Sequence, residues 1–346
     1  MTGKDIKIVQ FPHHEGPVED YLSLPQRIEG LSDSQANAER VGTKALLDPV
    51  NTYSRNGDLM NFLAYKDGQA VGRLTAFHNR LLASEHGHHG LVGLFSCTND
   101  PVVARALIEQ AATWLGQQGM EMMRGPMAGD IWHRWRFMTK GFGTPPFPGE
   151  PRNPECYPEL FAAAGFARVR TYSTKLITDL PTQLSRLSKP MAFNKKRGIT
   201  YRNMDRDNWP GELDVMFELC RHSFATNWSV TDTTAEEFRD IYDRWLKRAG
   251  PDHIIFALDT SQAVIGLGLA VVSPADTINV KTVAVLPSQY GFGLGQAIAA
   301  EIYERGLAAG QVKAQHCLMD PLSPAQRWDH GLGQVTREYA MYERAI

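Results

Sequence analysis

Apolar residues along the chain recur with two periods, and the switch from one to the other marks out its elements. Residues 6–9 read as a first strand, and residues 59–65 and 70–77 as a hairpin turned at Lys66-Asp67-Gly68. A strand over 91–96 follows. The next helix carries Val103, Leu107, Ala111 and Trp114 on one face and is ended by Gly119. A strand near Met122, a Pro/Gly-rich stretch over 141–158, a short helix before Gly165 and a strand up to Ile177 complete this half.

The second half runs through a strand over 199–202, helices over 212–224 and 235–247, and a hairpin over 254–272 turned near Asp259. A β-rich run stopped by Pro287 comes next. Leu294, Ile298 and Ile302 then share a helix face, with Gly310 placed to end the helix. A strand over 312–319, a short helix around 325–328 and final strands up to 343 follow. Both halves present the same order of elements, without a repeat at the level of residues. The polar, basic stretch with Pro181 and Pro190 reads as a linker, giving domains at 1–180 and 199–346 around a linker at 181–198.

The junction Val283-Ala-Val-Leu-Pro-Ser-Gln-Tyr-Gly-Phe-Gly-Leu-Gly295 carries the chemistry. Its alternating glycines let the backbone bend and approach a ligand, while the N–H groups of the first helical turn point outward, which suits a phosphate. No Gly-Lys-Ser/Thr follows, and the spacing is not that of a dinucleotide loop. The order V-x-V-x-P-x-x-x-G-x-G-x-G resembles the acyl-CoA motif of the GNAT acetyltransferase superfamily. That resemblance implies an α/β (α+β) chain of two tandem GNAT-like domains, each a mixed, mostly antiparallel sheet flanked by helices. It implies acetyl-CoA, or another acyl-CoA, as co-substrate. Val283, Ala284 and Val285 would line the pantetheine and acyl group, and Tyr290, Gly291, Phe292, Gly293, Leu294, Gly295 and Gln296 the pyrophosphate. The family usually has Arg or Gln where this chain has Tyr290, and Gln289 is one position early. In the first half the equivalent junction, Ser96-Cys-Thr-Asn-Asp-Pro101, has no glycine. Asp100 would cap that helix with a carboxylate, so this half is expected to have lost CoA binding and to wall the acceptor pocket.

Acyl transfer to an amine needs a neutral amine, an oxyanion donor and a proton for the departing thiolate. The resemblance implies direct attack without an acyl-enzyme, with a backbone N–H at 283–285 as oxyanion donor. His316 and Asp320, at the end of the strand after the motif helix, are candidate bases. The tyrosine that commonly serves the family as acid is missing from Gln326-Arg-Trp-Asp-His-Gly331. His330 or Asp329 could replace it, or Tyr339 or Tyr342 could reach in from the last strands. Asn227 and Trp228, between the first two helices of the second half, are candidates for acceptor binding, and Trp228 could equally pack the helix pair. On a strand, Trp132, Arg134 and Arg136 would share one face, with Arg124 nearby, and suit an anionic small-molecule amine. The same alternation fits an exposed strand solubilised by arginine.

Composition narrows the classes. Two domains are the default for 346 residues, and 43% hydrophobic content is ordinary for a globular chain. With 36 basic and 38 acidic residues the net charge is −2, which argues against an extended nucleic-acid footprint. A transferase drawing on aminoacyl-tRNA would have to rely on Lys189, Lys195, Lys196 and Arg197; a CoA-binding module without activity is the third alternative. The start lacks an apolar leader and no run is long enough to span a bilayer, so the expected location is cytoplasmic, with no membrane partner. Cys97, Cys156, Cys220 and Cys317 are scattered and read as reduced thiols. His86, His88 and His89 read as a solvated turn, so no metal is expected.

Overall fold

The structure, a computed structural model, describes residues 6–82, 88–249 and 253–346. The first half supplies strands β1 (Lys7–Phe11), β2 (Gly57–Lys66), β3 (Gln69–Asn79), β4 (His89–Cys97), β5 (Met122–Gly125), β6 (Phe137–Lys140) and β7 (Ala167–Ile177). The second supplies β8 (Thr200–Asn203), β9 (Ile254–Leu258), β10 (Val264–Val272), β11 (Thr277–Val285), β12 (Lys313–Met319) and β13 (Gln334–Ala345). All join one sheet in the order β1-β2-β3-β4-β5-β13-β7-β12-β11-β10-β9-β8, with β6 also on β13. Among the described strands, only β4 with β5 and β11 with β12 pair in parallel. The hairpin at Lys66 and the two strand-to-helix junctions fall where the periodicity places them.

The two halves exchange their last strands. β13 lies between β5 and β7, and β7 pairs with β12 of the second half. The sheet therefore runs unbroken from one half into the other.

Helices cover both faces, which explains why strands such as β9, Ile-Ile-Phe-Ala-Leu, are buried along their whole length. In the first half α1 (Val18–Glu29) and α2 (Asp33–Leu47) cover one face, and α3 (Pro101–Gln117) and α4 (Tyr157–Ala163) the other. The first pair is absent from the sequence reading. The segment predicted as a linker is also helical, forming α5 (Leu180–Arg186) and α6 (Ser188–Lys196). Its prolines sit in first turns, where a missing N–H costs nothing, and Asp179 caps α5 through the Thr182 N–H at 3.0 Å. Leu180 and Leu187 are fully buried with the core of α9 (Leu294–Ala308). On the opposite face of the second half lie α7 (Trp209–Ser223) and α8 (Ala235–Ala249). Among the described residues no helix is long and apolar enough to cross a membrane.

Candidate active site

A fork in the sheet forms the site. β11 pairs with β10 as far as Val285, but with β12 only from Thr277 to Val280. Leu269 faces Thr282 while Ala270 faces Val280, so Lys281 is the extra residue of a bulge placed where β11 and β12 part. Beyond it, Val283, Ala284 and Val285 keep one edge without a strand partner among the described residues.

The fork leads to the start of α9. Gly291 and Gly293 are left-handed, at φ 84° and 68°, and no side chain caps the helix. Asn194 of α6 donates to the Phe292 carbonyl at 2.9 Å, which turns the Gly293 N–H to the opposite side of that planar peptide. Arg197 lies 4.4 Å from the Phe292 ring and donates to Gln289 Oε1 at 2.6 Å, bracing the loop from behind. A Cβ added at Gly291 would meet nothing within 4 Å, whereas one at Gly295 would stand 2.7 Å from the Trp328 ring. The loop thus has open space beside unspent N–H donors at Gly291 and is closed by Trp328 at Gly295, an arrangement that fits a diphosphate lying across the helix start.

The corresponding fork of the first half is filled by its own chain. β5 leaves β4 after Leu91, and the Met127 N–H then donates to the Val92 carbonyl at 2.7 Å. Tyr157 takes the Cys97 N–H at 3.0 Å, and Asp100 caps α3 through Val102 and Val103.

Across the open fork lies a buried charge cluster that the sequence reading missed, apart from Tyr339 and Arg136. The loop before α4 brings Gly149 and Glu150 from the first half, and Lys281 Nζ donates to the Gly149 carbonyl at 3.2 Å. The Glu150 side chain is buried; it accepts from the Tyr339 hydroxyl, pairs with Arg337 Nε at 3.1 Å and takes the Phe147 N–H at 3.2 Å. Burial pushes its carboxyl up. Burial likewise holds the Lys281 ammonium down to about 8 and pushes the neighbouring Cys317 thiol up to about 12. Arg136 is held between Trp135 at 3.4 Å and Tyr172 at 4.1 Å, with Nε unpartnered, and burial lowers it to about 10. Its φ of 76° is unusual for a residue with a side chain. Lys281 was hidden by its position two residues before the motif, and Glu150 by the Pro/Gly-rich segment around it.

The remaining expected residues lie elsewhere. His316 is buried against α9, where Nε2 meets the Tyr303 hydroxyl, and burial holds its imidazolium down to about 4. Asp320 is tied to Arg170 by contacts of 2.7–3.0 Å. His330 is exposed in a surface turn. Trp132, Arg134 and Arg136 do not share a strand face, because Asp130 Oδ1 accepts the N–H groups of Trp132 and His133 and curls the segment into a turn. Trp132 therefore packs on Phe224 and Phe238, while Arg134 pairs with Glu39 at the surface. Trp228 lies under Arg124 at 4.4 Å, and Asn227 is exposed. His89 faces Glu343 at 3.5 Å, and His86 lies outside the described residues.

No protein-family model matches the chain. It is 26% identical over 214 residues to Protein YghO of Escherichia coli (strain K12), covering 60% of the chain and 54% of that protein. It is 26% identical over 229 residues to the bacterial ceramide synthase of Caulobacter vibrioides, covering 64% and 58%. The matches thus span little more than half the length of these relatives. Among solved structures, a tandem GNAT protein from the clavulanic acid biosynthesis pathway superposes with a TM-score of 0.57 at 12% identity, covering 99% of this chain and 98% of that one. A probable N-acyltransferase from Enterococcus faecalis V583 gives 0.61 at 10% identity, covering 99% and 73%. With the forked β11–β12 pair, the glycine loop and near-complete superposition on a tandem GNAT structure, the chain carries the tandem GNAT fold.

Proposed function

We propose that the chain is an acyl-CoA-dependent N-acyltransferase that works by direct attack of an amine on the thioester. The observation that carries this reading is the fork at Lys281, which runs from unpaired β11 backbone to an uncapped, glycine-opened helix start. The N–H groups around Gly291 and Gly293 hold the diphosphate, and the free edge at Val283, Ala284 and Val285 aligns the acyl arm and polarises its carbonyl. As the C–N bond forms and the C–S bond breaks, the amine proton passes through Tyr339 to Glu150. Lys281, protonated below about 8, supplies a proton to the thiolate. Asp320 and His316 are assigned no part in proton transfer, since each is committed to another partner. The guanidinium of Arg136 receives an anionic group on the acceptor.

A ceramide is an N-acylated long-chain amine, so the name of one relative accords with amide formation and widens the acyl range beyond acetyl. The test is single-turnover thiol release from short- and long-chain acyl-CoA against amines with and without a carboxylate or phosphate. The expected result is amine-dependent release that Arg136→Gln weakens only for anionic acceptors. Release independent of every amine contradicts the proposal.

A further inference from the structure

Three side chains meet where the halves join, two of them three residues apart and the third remote in sequence. Asp130 and His133 come from the loop between β5 and β6, and Glu237 from the first turn of α8; ligand-capable atoms of the three lie within 4.8 Å of one another. Asp130 is 1% exposed and Glu237 2%. Besides two backbone N–H groups, Asp130 Oδ1 faces His133 Nδ1 at 2.7 Å. With the ring proton on Nε2, the Nδ1 lone pair faces the same space as Asp130 Oδ1, so that one ion can meet both atoms.

Two further observations point to a missing ligand. Among the described residues Glu237 Oε1 is buried without a hydrogen-bond partner, and so is the hydroxyl of Tyr53, whose ring meets His133 edge-on at 6.0 Å. Two buried carboxylates beside one imidazole leave negative charge uncompensated even when the ring is protonated, and an unpaired buried anion is costly.

We propose that Asp130, His133 and Glu237 form a site for a zinc-class divalent cation that ties α8 to the loop carrying Trp135 and Arg136. One imidazole with carboxylates suits zinc or manganese better than magnesium or calcium. Two bonds of about 2.1 Å put the ligand atoms of one ion within about 4.2 Å of each other, close to the 4.8 Å within which these three already lie. Nothing in this assignment depends on the acyltransferase reading.

The test titrates Zn2+ into the full-length, EDTA-stripped chain by calorimetry, with thermal melts in the absence and presence of zinc. Wild type and His88→Ala, which removes a surface histidine, are expected to bind one equivalent and to melt several degrees higher with zinc. Glu237→Gln and His133→Gln are expected to bind about tenfold more weakly or worse and to show no rise. Circular dichroism establishes that each variant is folded, and Asp130→Asn stands in for one that is not. No saturable site in wild type, or equal affinity in folded Glu237→Gln, overturns the proposal and leaves a proton balancing the cluster.

Discussion

The indole of Trp328 occupies the space that any side chain at Gly295 would need, with ring atoms 2.7 and 2.8 Å from the place of its Cβ. Trp328 comes from the turn after β12 and closes the fork beside Val283, so the glycine is required by packing as well as by the ligand. Gly295→Ala is expected to cost about 1–3 kcal/mol through overpacking. In a Trp328→Ala background that penalty is expected to fall within about 0.5 kcal/mol of zero. Urea unfolding of the four proteins measures the coupling; equal penalties in both backgrounds contradict the contact.

His316 makes the acid stability of the protein depend on pH. Its imidazolium is held down to about 4 in the fold, whereas an unfolded histidine takes up its proton near about 6.5. Between these values the unfolded chain binds more protons, so stability rises with pH and this contribution is lost as pH falls from about 6.5 to about 4. His316→Gln is expected to remove the slope, worth up to about 3 kcal/mol at the acid end, and to leave the pH dependence of kcat unchanged. Urea midpoints across this window and a pH–rate profile check both halves of the statement.

Tyr339→Phe and Glu150→Gln are expected to lower kcat by about 10²–10⁴ while KM for acyl-CoA stays near its wild-type value. Lys281→Met should abolish the fall in kcat above about 8, because the group that loses its proton there is gone. Retention of that alkaline limb in the folded variant assigns it to another residue.

The exchanged strands bear on how the chain can be divided. β12 needs β7 from the first half and β5 needs β13 from the second, so neither 1–180 nor 199–346 can complete its sheet alone. Each fragment by itself is expected to give no cooperative melt by circular dichroism, and co-expression to restore one. A cooperative transition in the isolated 199–346 fragment contradicts the exchange.

Strands buried on both faces and the glycine junction were legible because their signals are local and strong. Helices α1 and α2 were not: α1 contains Pro25, and α2 buries only Thr43, Leu46 and Leu47, although Ser32 and Gln35 form a readable capping box. The helices of the linker segment were not legible because Pro181 and Pro190 lie in their first turns instead of breaking them. At Trp132, Arg134 and Arg136 the alternation held in sequence, but the Asp130 turn sends the three side chains to three places. The pairing of Glu150 with Tyr339 spans 189 positions, and that of His133 with Glu237 crosses the halves; no local pattern encodes either. What the sequence exposed was the backbone cradle, and what it concealed was the set of side chains that long-range pairing brings to it.

Acyl-CoA affinity in wild type, Gly291→Asn and Gly291→Asp, measured by calorimetry, tests the cradle directly. Asn and Asp both tolerate a left-handed backbone, and the space beside Gly291 is open, so the pair differs only in charge. The expected result is binding in wild type, modest weakening in Gly291→Asn, and a further loss of about tenfold or more in Gly291→Asp, where a carboxylate faces the diphosphate. Equal affinity in folded Gly291→Asn and Gly291→Asp, or no binding by wild type, would contradict the assignment of this loop to acyl-CoA.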